Sequence, residues 1–398
     1  MSTTVVSIRR AASTRRLVAL GRLPAGATYT LGVALLMRLA LSALAAWILS
    51  FRPITETAVI RGQYLGLAAL HDRALAPWQR FDAFWYLRLA MRGYGARDGS
   101  TVYFPLYPAL IKAVALPLGG DMMLAALIVS NVCFALLLLL FYQLVAVRHG
   151  DLVARRAVAL LCVFPTASFL LGAYTESLFL LLVVALFLAI ERQRLALAGA
   201  LGLLAALTRL QGVVLSAPLL WAAWSVWRGG RREIRPWLFA ALPPLGSALF
   251  MLYVRLVVRA GPVTSVYTQQ VHQQLGPPWV TLGRYWAELA PHWPRLFSYA
   301  TGNWVDALNI VLALGVLALI LPARRLVGTG LWIYALATWV AVLCIYQSTA
   351  RYMLAVFPVF IVLAVRARGR RVFQLALLLG APVMLFVASE FVLWSFVG

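Results

Sequence analysis

Charged side chains are scarce in this sequence. They make up 12% of its 398 residues, and only 12 residues are acidic. Hydrophobic residues reach 63%, whereas a soluble domain is about 45–50% apolar and about 25% charged. The composition therefore excludes an ordinary soluble protein. It predicts an all-α polytopic membrane protein with room for roughly ten spans of about 20 residues each.

Sequence motifs for metals and nucleotides are also missing. The three cysteines lie singly inside apolar runs, where an inert buried thiol is the usual state. No CxxC or HExxH spacing occurs, and the four histidines lie far apart. No Walker A loop, GxSxG elbow or Rossmann fingerprint stands in a suitable context. We therefore predict no metal site and no cofactor.

Most of the charge that is present is positive. The formal net charge is +23, and Lys112 is the one lysine among 35 basic residues. The basic residues do not form a nucleic-acid recognition face, because they sit in short clusters between apolar runs, as the positive-inside rule requires. We predict that the clusters are cytoplasmic and that nucleic acid is not a partner. The arginine bias favours a bacterial plasma membrane. The clusters lie in the N-terminal tail and at 148–156, 191–194, 228–235, 323–325 and 366–371.

Apolar runs predict eleven transmembrane helices. The two short runs in the middle of the chain could instead form one broken hairpin. With the N-terminus inside, this number of spans places the C-terminus outside. The predicted spans are 27–49, 121–146, 155–173, 177–190, 196–209, 212–227, 236–258, 304–321, 328–346, 351–366 and 373–396.

The segment 104–120 is apolar, but we do not expect it to span the membrane. A crossing there would invert every later basic cluster, whereas a re-entrant or interfacial helix keeps all the clusters inside. Three prolines bracket the segment and Lys112 interrupts it, which also disfavours a simple span.

The resulting organisation is a basic cytoplasmic tail, 1–26, followed by one integral membrane domain, 27–398. Two long external loops, 50–103 and 259–303, hold much of the polar sequence, and long loops are more often functional than idle. A transporter or lipid flippase is the main alternative class. It would favour charges near the bilayer midplane and an internal repeat, whereas the polar residues here concentrate towards the external face and no strong repeat is visible.

Two carboxylates are candidate site residues. Asp82 lies among aromatic residues and could act as a general base on a sugar hydroxyl. It could equally cap a short interfacial helix, with Trp85 and Tyr86 in the aromatic belt. Glu176 stands at the external mouth of two connected spans. It is either a site residue or an acid that complements the helix dipole.

Arginines at the external membrane edge are candidates for binding a lipid-linked phosphate. Arg209 lies beside Gln211, and Arg351 lies beside Tyr352. A guanidinium can hold phosphate through paired hydrogen bonds, but it can also snorkel to lipid headgroups. Arg38 lies inside the first span, where it needs a partner, and a structural partner is favoured over substrate.

The external loop 259–303 contains His272 and His292 among glutamine and aromatic residues. This composition suits sugar hydroxyls, through amide hydrogen bonds and ring stacking. Ordinary loop packing explains it as well.

Five motifs, in order along most of the chain, resemble those of the PIG-V family of mannosyltransferases. The first two are the more specific. Members of that family often have tryptophan where this chain has Phe81, a change that keeps the aromatic character and leaves Asp82 in place. The motifs are RFDAFWYLRLAMRGYG (80–95), YFPLYP (103–108), AYTESLF (173–179), LTRLQGVVL (207–215) and ARYMLAVFPVF (350–360).

The resemblance implies a GT-C glycosyltransferase fold with its active site on the external or lumenal face. It implies a polyprenyl-phosphate sugar donor, typically carrying mannose, and transfer with inversion that needs no nucleotide. An aspartate of the first external loop is the base in that family, and in this sequence it corresponds to Asp82.

In this interpretation, Arg209 and Arg351 stabilise the leaving phosphate. The acceptor is a glycolipid, a glycan or a protein, within the lipid bilayer or beside it. A GT-C enzyme for another sugar, or a family member without activity, remains an alternative. The predicted substrate-binding residues are Trp85, Tyr86, Tyr107, Glu176, Arg209, Gln211, Arg351 and Tyr352.

Overall fold

The computed structural model is mainly helical in the part of the chain that it describes. That part comprises residues 24–51, 74–230, 232–262, 265–266, 275–291, 303–367 and 369–395. Within these ranges β-structure is limited to an isolated bridge between Leu275 and Ile345. The α-helices are α1 Ala27–Phe51, α2 Asp82–Arg92, α3 Leu106–Ala115, α4 Met122–His149, α5 Asp151–Cys162, α6 Glu176–Glu191, α7 Leu195–Ala206, α8 Ser216–Arg228, α9 Arg235–Ala240, α10 Leu242–Tyr253, α11 Pro278–Leu289, α12 Asn303–Ile320, α13 Arg324–Val327, α14 Thr329–Leu343, α15 Thr349–Tyr352, α16 Pro358–Arg366 and α17 Arg370–Val392.

Among the described residues, five helical segments are long and apolar enough to cross a membrane. A sixth candidate joins Thr349–Ala355 to Pro358–Arg366 across a bend of 78°. Every predicted span contains helix, but several of these helices are shorter than a full crossing, so five or six of the eleven predicted spans meet this criterion among the described residues. The five segments are Ala27–Phe51, Met122–His149, Leu210–Arg228, Trp304–Val327 and Arg370–Val392.

Prolines account for the interrupted spans. The predicted span 155–173 ends as an α-helix at Cys162, just before Pro165. The bend in 351–366 precedes Pro358, which begins α16. Proline lacks the backbone N–H that continues a helix, and it disfavours helical geometry in the residue before it. Apolar composition alone does not record such breaks.

The segment 104–120 forms a short helix, as its prolines indicated. The helical stretch Leu106–Leu118 combines α3 with a terminal 3₁₀ turn. Thirteen residues rise about 20 Å, less than the roughly 30 Å of a hydrocarbon core. Lys112 is exposed on this helix.

Several of the basic clusters meet at one end of the bundle. Arg148, at the end of α4, donates to the Val327 carbonyl at 2.7 Å and also forms an ion pair with Glu191, at the end of α6. Glu176 begins the same helix, and sixteen helical residues separate its two ends by about 24 Å. These three basic clusters therefore lie at the opposite end of α6 from Glu176, which is the arrangement that the positive-inside interpretation predicts.

Some predictions fall on residues outside the described ranges. These include most of the basic tail 1–26, much of the loops 50–103 and 259–303, and both His272 and His292. The division into a tail and one membrane domain stays a prediction.

Candidate active site

Asp82 is the first residue of α2, and the backbone before it is strained. Phe81 has a φ of 47°, in the left-handed region that bulky residues rarely adopt. Its ring packs against Trp394 at 5.5 Å and Phe391 at 6.1 Å between centroids. The C-terminal end of the chain thus holds the turn that presents Asp82, and strain of this kind is often retained at functional sites.

Both carboxylate oxygens of Asp82 are engaged by side chains. The Tyr103 hydroxyl donates to Oδ1 at 3.3 Å, and Arg351 Nη2 lies 2.7 Å from Oδ2. The Asp82 side chain is 27% exposed, whereas that of Arg351 is 3% exposed. Among the described contacts, Asp82 faces an open cleft and a buried cation, and it does not cap its helix.

Arg351 belongs to a cluster of four charges. Glu176 Oε1 lies 3.4 Å from Arg351 Nε and 2.8 Å from Arg209 Nη1. Two carboxylates and two guanidinium groups therefore balance one another. We call Asp82, Glu176, Arg209 and Arg351 the charge cluster. Glu176 is the first-turn acid of α6 and also contacts both arginines, so its position at the helix N-terminus is compatible with membership of this cluster.

The charge cluster is incompletely hydrogen-bonded. Within the described part of the chain, neither oxygen of Glu176 has a hydrogen-bond partner, and Arg351 Nε lacks one as well. The guanidinium groups approach Glu176 at ion-pair distance without directing an N–H bond at it. Buried polar atoms are normally satisfied, so the charge cluster retains hydrogen-bonding capacity that a polar ligand could use.

Aromatic rings surround the two arginines. The Tyr352 ring lies between them, with its centroid 4.7 Å from Arg209 Cζ and 4.8 Å from Arg351 Cζ. Arg351 Nη2 also donates to the Tyr352 hydroxyl at 2.9 Å. Phe169 and Tyr174 each lie 5.4 Å from Arg351 Cζ. Such rings stabilise a guanidinium that is removed from water.

A strained turn positions Arg351. Gln347 and Ser348 have φ values of 84° and 61°, both left-handed. The Gln347 N–H donates to the Tyr285 hydroxyl at 3.0 Å, and the Ala350 N–H donates to Asn309 Oδ1 at 2.7 Å. Side chains from α11 and α12 thus hold the backbone immediately before Arg351.

Two cavities adjoin the charge cluster. One is a polar cleft, and the other is a smaller, mostly apolar pocket. Arg209, Gln211 and Tyr352 line both cavities. The polar cleft is also lined by Asp82, Tyr86, Tyr103, Phe104 and Thr208, and the apolar pocket by Glu176, Arg351, Phe179, Leu180, Val342, Leu354 and Ala355.

Two tyrosines of the polar cleft remain protonated donors. Burial, followed by the nearby negative charge of Asp82, raises the pKa of Tyr103 and of Tyr86 well above their ordinary values. Trp85 stacks on Tyr103 at 5.5 Å with an interplanar angle of 15°. Tyr107 lies behind Tyr86, fully buried, with its hydroxyl 2.7 Å from that of Ser130.

The structure thus brings together most of the residues that the sequence singled out. Trp85 reaches the cleft only through Tyr103, and Tyr107 supports the site from beneath. Tyr103 and Thr208 were missed, although both lie inside the quoted motifs. The predicted residues that line the polar cleft or the apolar pocket are Asp82, Tyr86, Glu176, Arg209, Gln211, Arg351 and Tyr352.

Arg38 has structural partners. Its Nη1 donates to the Leu171 carbonyl at 3.2 Å, and its guanidinium lies 4.5 Å from the centroid of the Trp78 ring. In the described ranges, no group of three or more acidic, histidine or cysteine side chains could hold a metal ion.

Fold and site together define an all-α polytopic membrane protein with a buried charge cluster far from its basic end. A solved structure that shares the fold is ArnT from Cupriavidus metallidurans bound to undecaprenyl phosphate, with a TM-score of 0.52 and 12% sequence identity. The match covers 87% of this chain and 62% of the ArnT chain, so this protein spans less than two thirds of ArnT. This likeness confirms the predicted GT-C fold, and it concerns the fold alone. No protein-family model and no curated protein matches the sequence.

Proposed function

We propose that this protein is a membrane glycosyltransferase that takes a sugar from a polyprenyl-phosphate donor. The observation that best supports this proposal is the position of the charge cluster between the apolar pocket and the polar cleft. Such a donor consists of a hydrocarbon chain, a phosphate and a polar sugar, in that order. The apolar pocket, the two arginines and the polar cleft follow one another in the same order.

The carrier lipid is proposed on a second ground. ArnT, which shares the fold, was crystallised with undecaprenyl phosphate. In this chain, Phe179, Leu180 and Leu354 give the apolar pocket walls that suit isoprene units, and Arg209 and Arg351 lie at its polar edge. Guanidinium groups bind phosphate oxygens with strong, directional hydrogen bonds.

The proposed reaction is a single displacement with Asp82 as base. An Asp82 oxygen takes the proton of an acceptor hydroxyl, and the acceptor oxygen forms a bond to the anomeric carbon of the sugar. The bond from that carbon to the phosphate oxygen breaks, and its electron pair leaves on the phosphate. The products are the glycosylated acceptor, with inverted configuration, and polyprenyl phosphate.

Arg209 and Arg351 stabilise the negative charge that develops on the leaving phosphate, an electrostatic role that enzymes commonly use. Gln211 and Tyr352 line both cavities and are placed to contact the phosphate–sugar junction. Tyr86 and Tyr103 offer hydroxyl groups and ring faces to the sugar or the acceptor. No cofactor enters the proposal.

Mannose is the proposed donor sugar, on the resemblance of the five motifs to the PIG-V family. A glycolipid, glycan or protein is the proposed acceptor class. The basic clusters support an arrangement in which the charge cluster lies at the external face of a bacterial plasma membrane.

The test is sugar transfer by the purified full chain, supplied with radiolabelled polyprenyl-phosphate-mannose and a membrane glycolipid pool. Asp82→Asn keeps the side-chain size and removes the base, so transfer should fall by about 10²–10⁴-fold. Asp98→Asn is the matched control. Asp98 pairs with Arg88 at 2.9 Å and is 25% exposed, but it does not line the polar cleft.

Transfer by wild type and Asp98→Asn, with loss in Asp82→Asn, would support the enzyme and its base together. Equal transfer by all three proteins would show that a residue other than Asp82 is the base. Absence of transfer with this donor and with its glucosyl or arabinosyl analogues would contradict the glycosyltransferase proposal. The transporter or flippase alternative would then be tested with a lipid-flipping assay.

A further inference from the structure

Arg351 serves two partners that the proposed reaction needs at different moments. Its Nη2 lies 2.7 Å from Asp82 Oδ2, on the polar cleft, while the same side chain lines the apolar pocket. With Tyr103 on Oδ1 at 3.3 Å, neither Asp82 oxygen is left without a partner. The base is therefore occupied in the arrangement that the structure shows.

The charge balance of the cluster makes this arrangement sensitive to a third anion. Two carboxylates and two guanidinium groups sum to zero, and a donor phosphodiester adds one negative charge. In a poorly solvated site, an unbalanced like charge is strongly unfavourable. Phosphate therefore binds Arg351 most favourably when one carboxylate moves away from it.

Burial selects Asp82 as the carboxylate that moves. The side chain of Glu176 is 3% exposed and lies beside both arginines, whereas that of Asp82 is 27% exposed and faces the open cleft. A half-open carboxylate can exchange a guanidinium partner for solvent or for a hydroxyl group at lower cost than a buried one can.

We propose that the phosphate of the donor displaces the Asp82 carboxylate from Arg351, so that donor binding releases the base for the acceptor hydroxyl. The inference rests on the proposed function. Arg351 holds Asp82 in the empty site and holds the phosphate in the loaded one. Asp82 is therefore held by Arg351 until the donor is bound, and an acceptor hydroxyl is activated only in the loaded site.

The displacement has a measurable consequence without catalysis. If Asp82 and phosphate compete for one guanidinium, removing the carboxylate charge must tighten phosphate binding. We expect Asp82→Asn to bind undecaprenyl phosphate about tenfold more tightly than wild type, since a charge-assisted contact is no longer broken on binding. An Asp82 that does not compete for Arg351 predicts at most a small tightening, from the loss of its through-space repulsion of the phosphate.

The experiment measures equilibrium binding of undecaprenyl phosphate to the full chain in nanodiscs, for wild type, Asp82→Asn and Asp98→Asn. Undecaprenol, which lacks the phosphate, is the second probe and should not distinguish the three proteins. Thermal unfolding of each variant verifies that the fold is retained.

Markedly tighter binding confined to Asp82→Asn and to the phosphate-bearing lipid would support the displacement. Weaker, equal or only slightly tighter binding by Asp82→Asn, with clear binding by wild type, would overturn the displacement and leave the proposed function intact. Failure of every folded variant to bind undecaprenyl phosphate would reject the proposed function and the displacement together.

Discussion

Glu176 Oε1 lies 2.8 Å from Arg209 Nη1, and the side chains are 3% and 12% exposed. A carboxylate buried this deeply is tolerated because two guanidinium groups lie beside it. If the Glu176 carboxylate is removed, the two buried guanidinium groups are left with a single, partly exposed carboxylate, that of Asp82.

Glu176→Gln should therefore destabilise the protein strongly. Breaking a buried ion pair from one side costs about 3–5 kcal/mol, because the partner charge stays buried. The matched control is Glu191→Gln. Glu191 pairs with Arg148, but those side chains are 34% and 35% exposed, and an exposed pair contributes about 0–1 kcal/mol. Thermal unfolding of the purified proteins measures the difference.

A second variant separates charge from packing. Glu176→Gln combined with Arg209→Gln removes one uncompensated cation and should recover part of the lost stability, since contacting residues are not additive. Equal unfolding temperatures for Glu176→Gln and Glu191→Gln would contradict the buried role assigned to Glu176.

Tyr103→Phe should lower activity while leaving the fold intact. The substitution removes the hydroxyl that donates to Asp82 at 3.3 Å and keeps the ring that stacks on Trp85. The loss of a single hydrogen bond of about 0.5–1.5 kcal/mol corresponds to a several-fold decrease in transfer. Because its raised pKa keeps Tyr103 protonated, the shape of the pH profile should not change. Loss of a titration step in the variant would show that Tyr103 itself exchanges a proton.

Much of this architecture follows from composition and order along the chain. Scarce charge and arginine clusters between apolar runs predicted the membrane class. Asp82, Glu176, Arg209 and Arg351 were each recognised as candidate site residues. Their grouping was not derivable from the residues alone. Each lies in a separate segment, and only tertiary packing brings Arg351 within ion-pair distance of both carboxylates.

The errors have physical causes as well. The apolar run 351–366 gave no sign of a break, whereas the structure bends it by 78° into a helix pair just before Pro358. Tyr103 was passed over although it begins the motif YFPLYP, because a tyrosine in a loop carries no periodic signal. Its role depends on a hydrogen bond to a residue in another helix.

Asn309→Ala should reduce activity more than its effect on stability suggests. Asn309 Oδ1 accepts the Ala350 N–H at 2.7 Å, so its removal leaves a buried donor unsatisfied and releases the backbone before Arg351. Trp339→Phe is the control at another contact of α12. It removes the 2.8 Å hydrogen bond from Trp339 Nε1 to the Ala313 carbonyl, away from the strained turn. Unfolding temperature and transfer rate are compared for both variants, and parallel losses would reduce Asn309 to a packing residue.

Gly212→Ala should disturb the site through the backbone alone. A Cβ at this position would lie 2.4 Å from both the Cα and the backbone N of Ala206, and backbone atoms cannot rotate away. The Gly212 N–H also donates to the Arg209 carbonyl at 2.9 Å, so any shift of the turn moves Arg209. Overpacking of this kind costs about 1–3 kcal/mol. We expect a lower unfolding temperature together with weaker binding of undecaprenyl phosphate.

The control is Gly315→Ala, in the interior of α12. Nothing lies within 4 Å of a Cβ placed there, and alanine is more favourable than glycine in a helix by about 0.5–1 kcal/mol. Its stability should therefore be unchanged or slightly higher, with lipid binding at the wild-type level. The contrary outcome is that Gly212→Ala behaves like Gly315→Ala in both measurements. The close approach of Gly212 to the Ala206 backbone would then not fix Arg209, and the position of Arg209 would depend on its contacts with Glu176 and Tyr352.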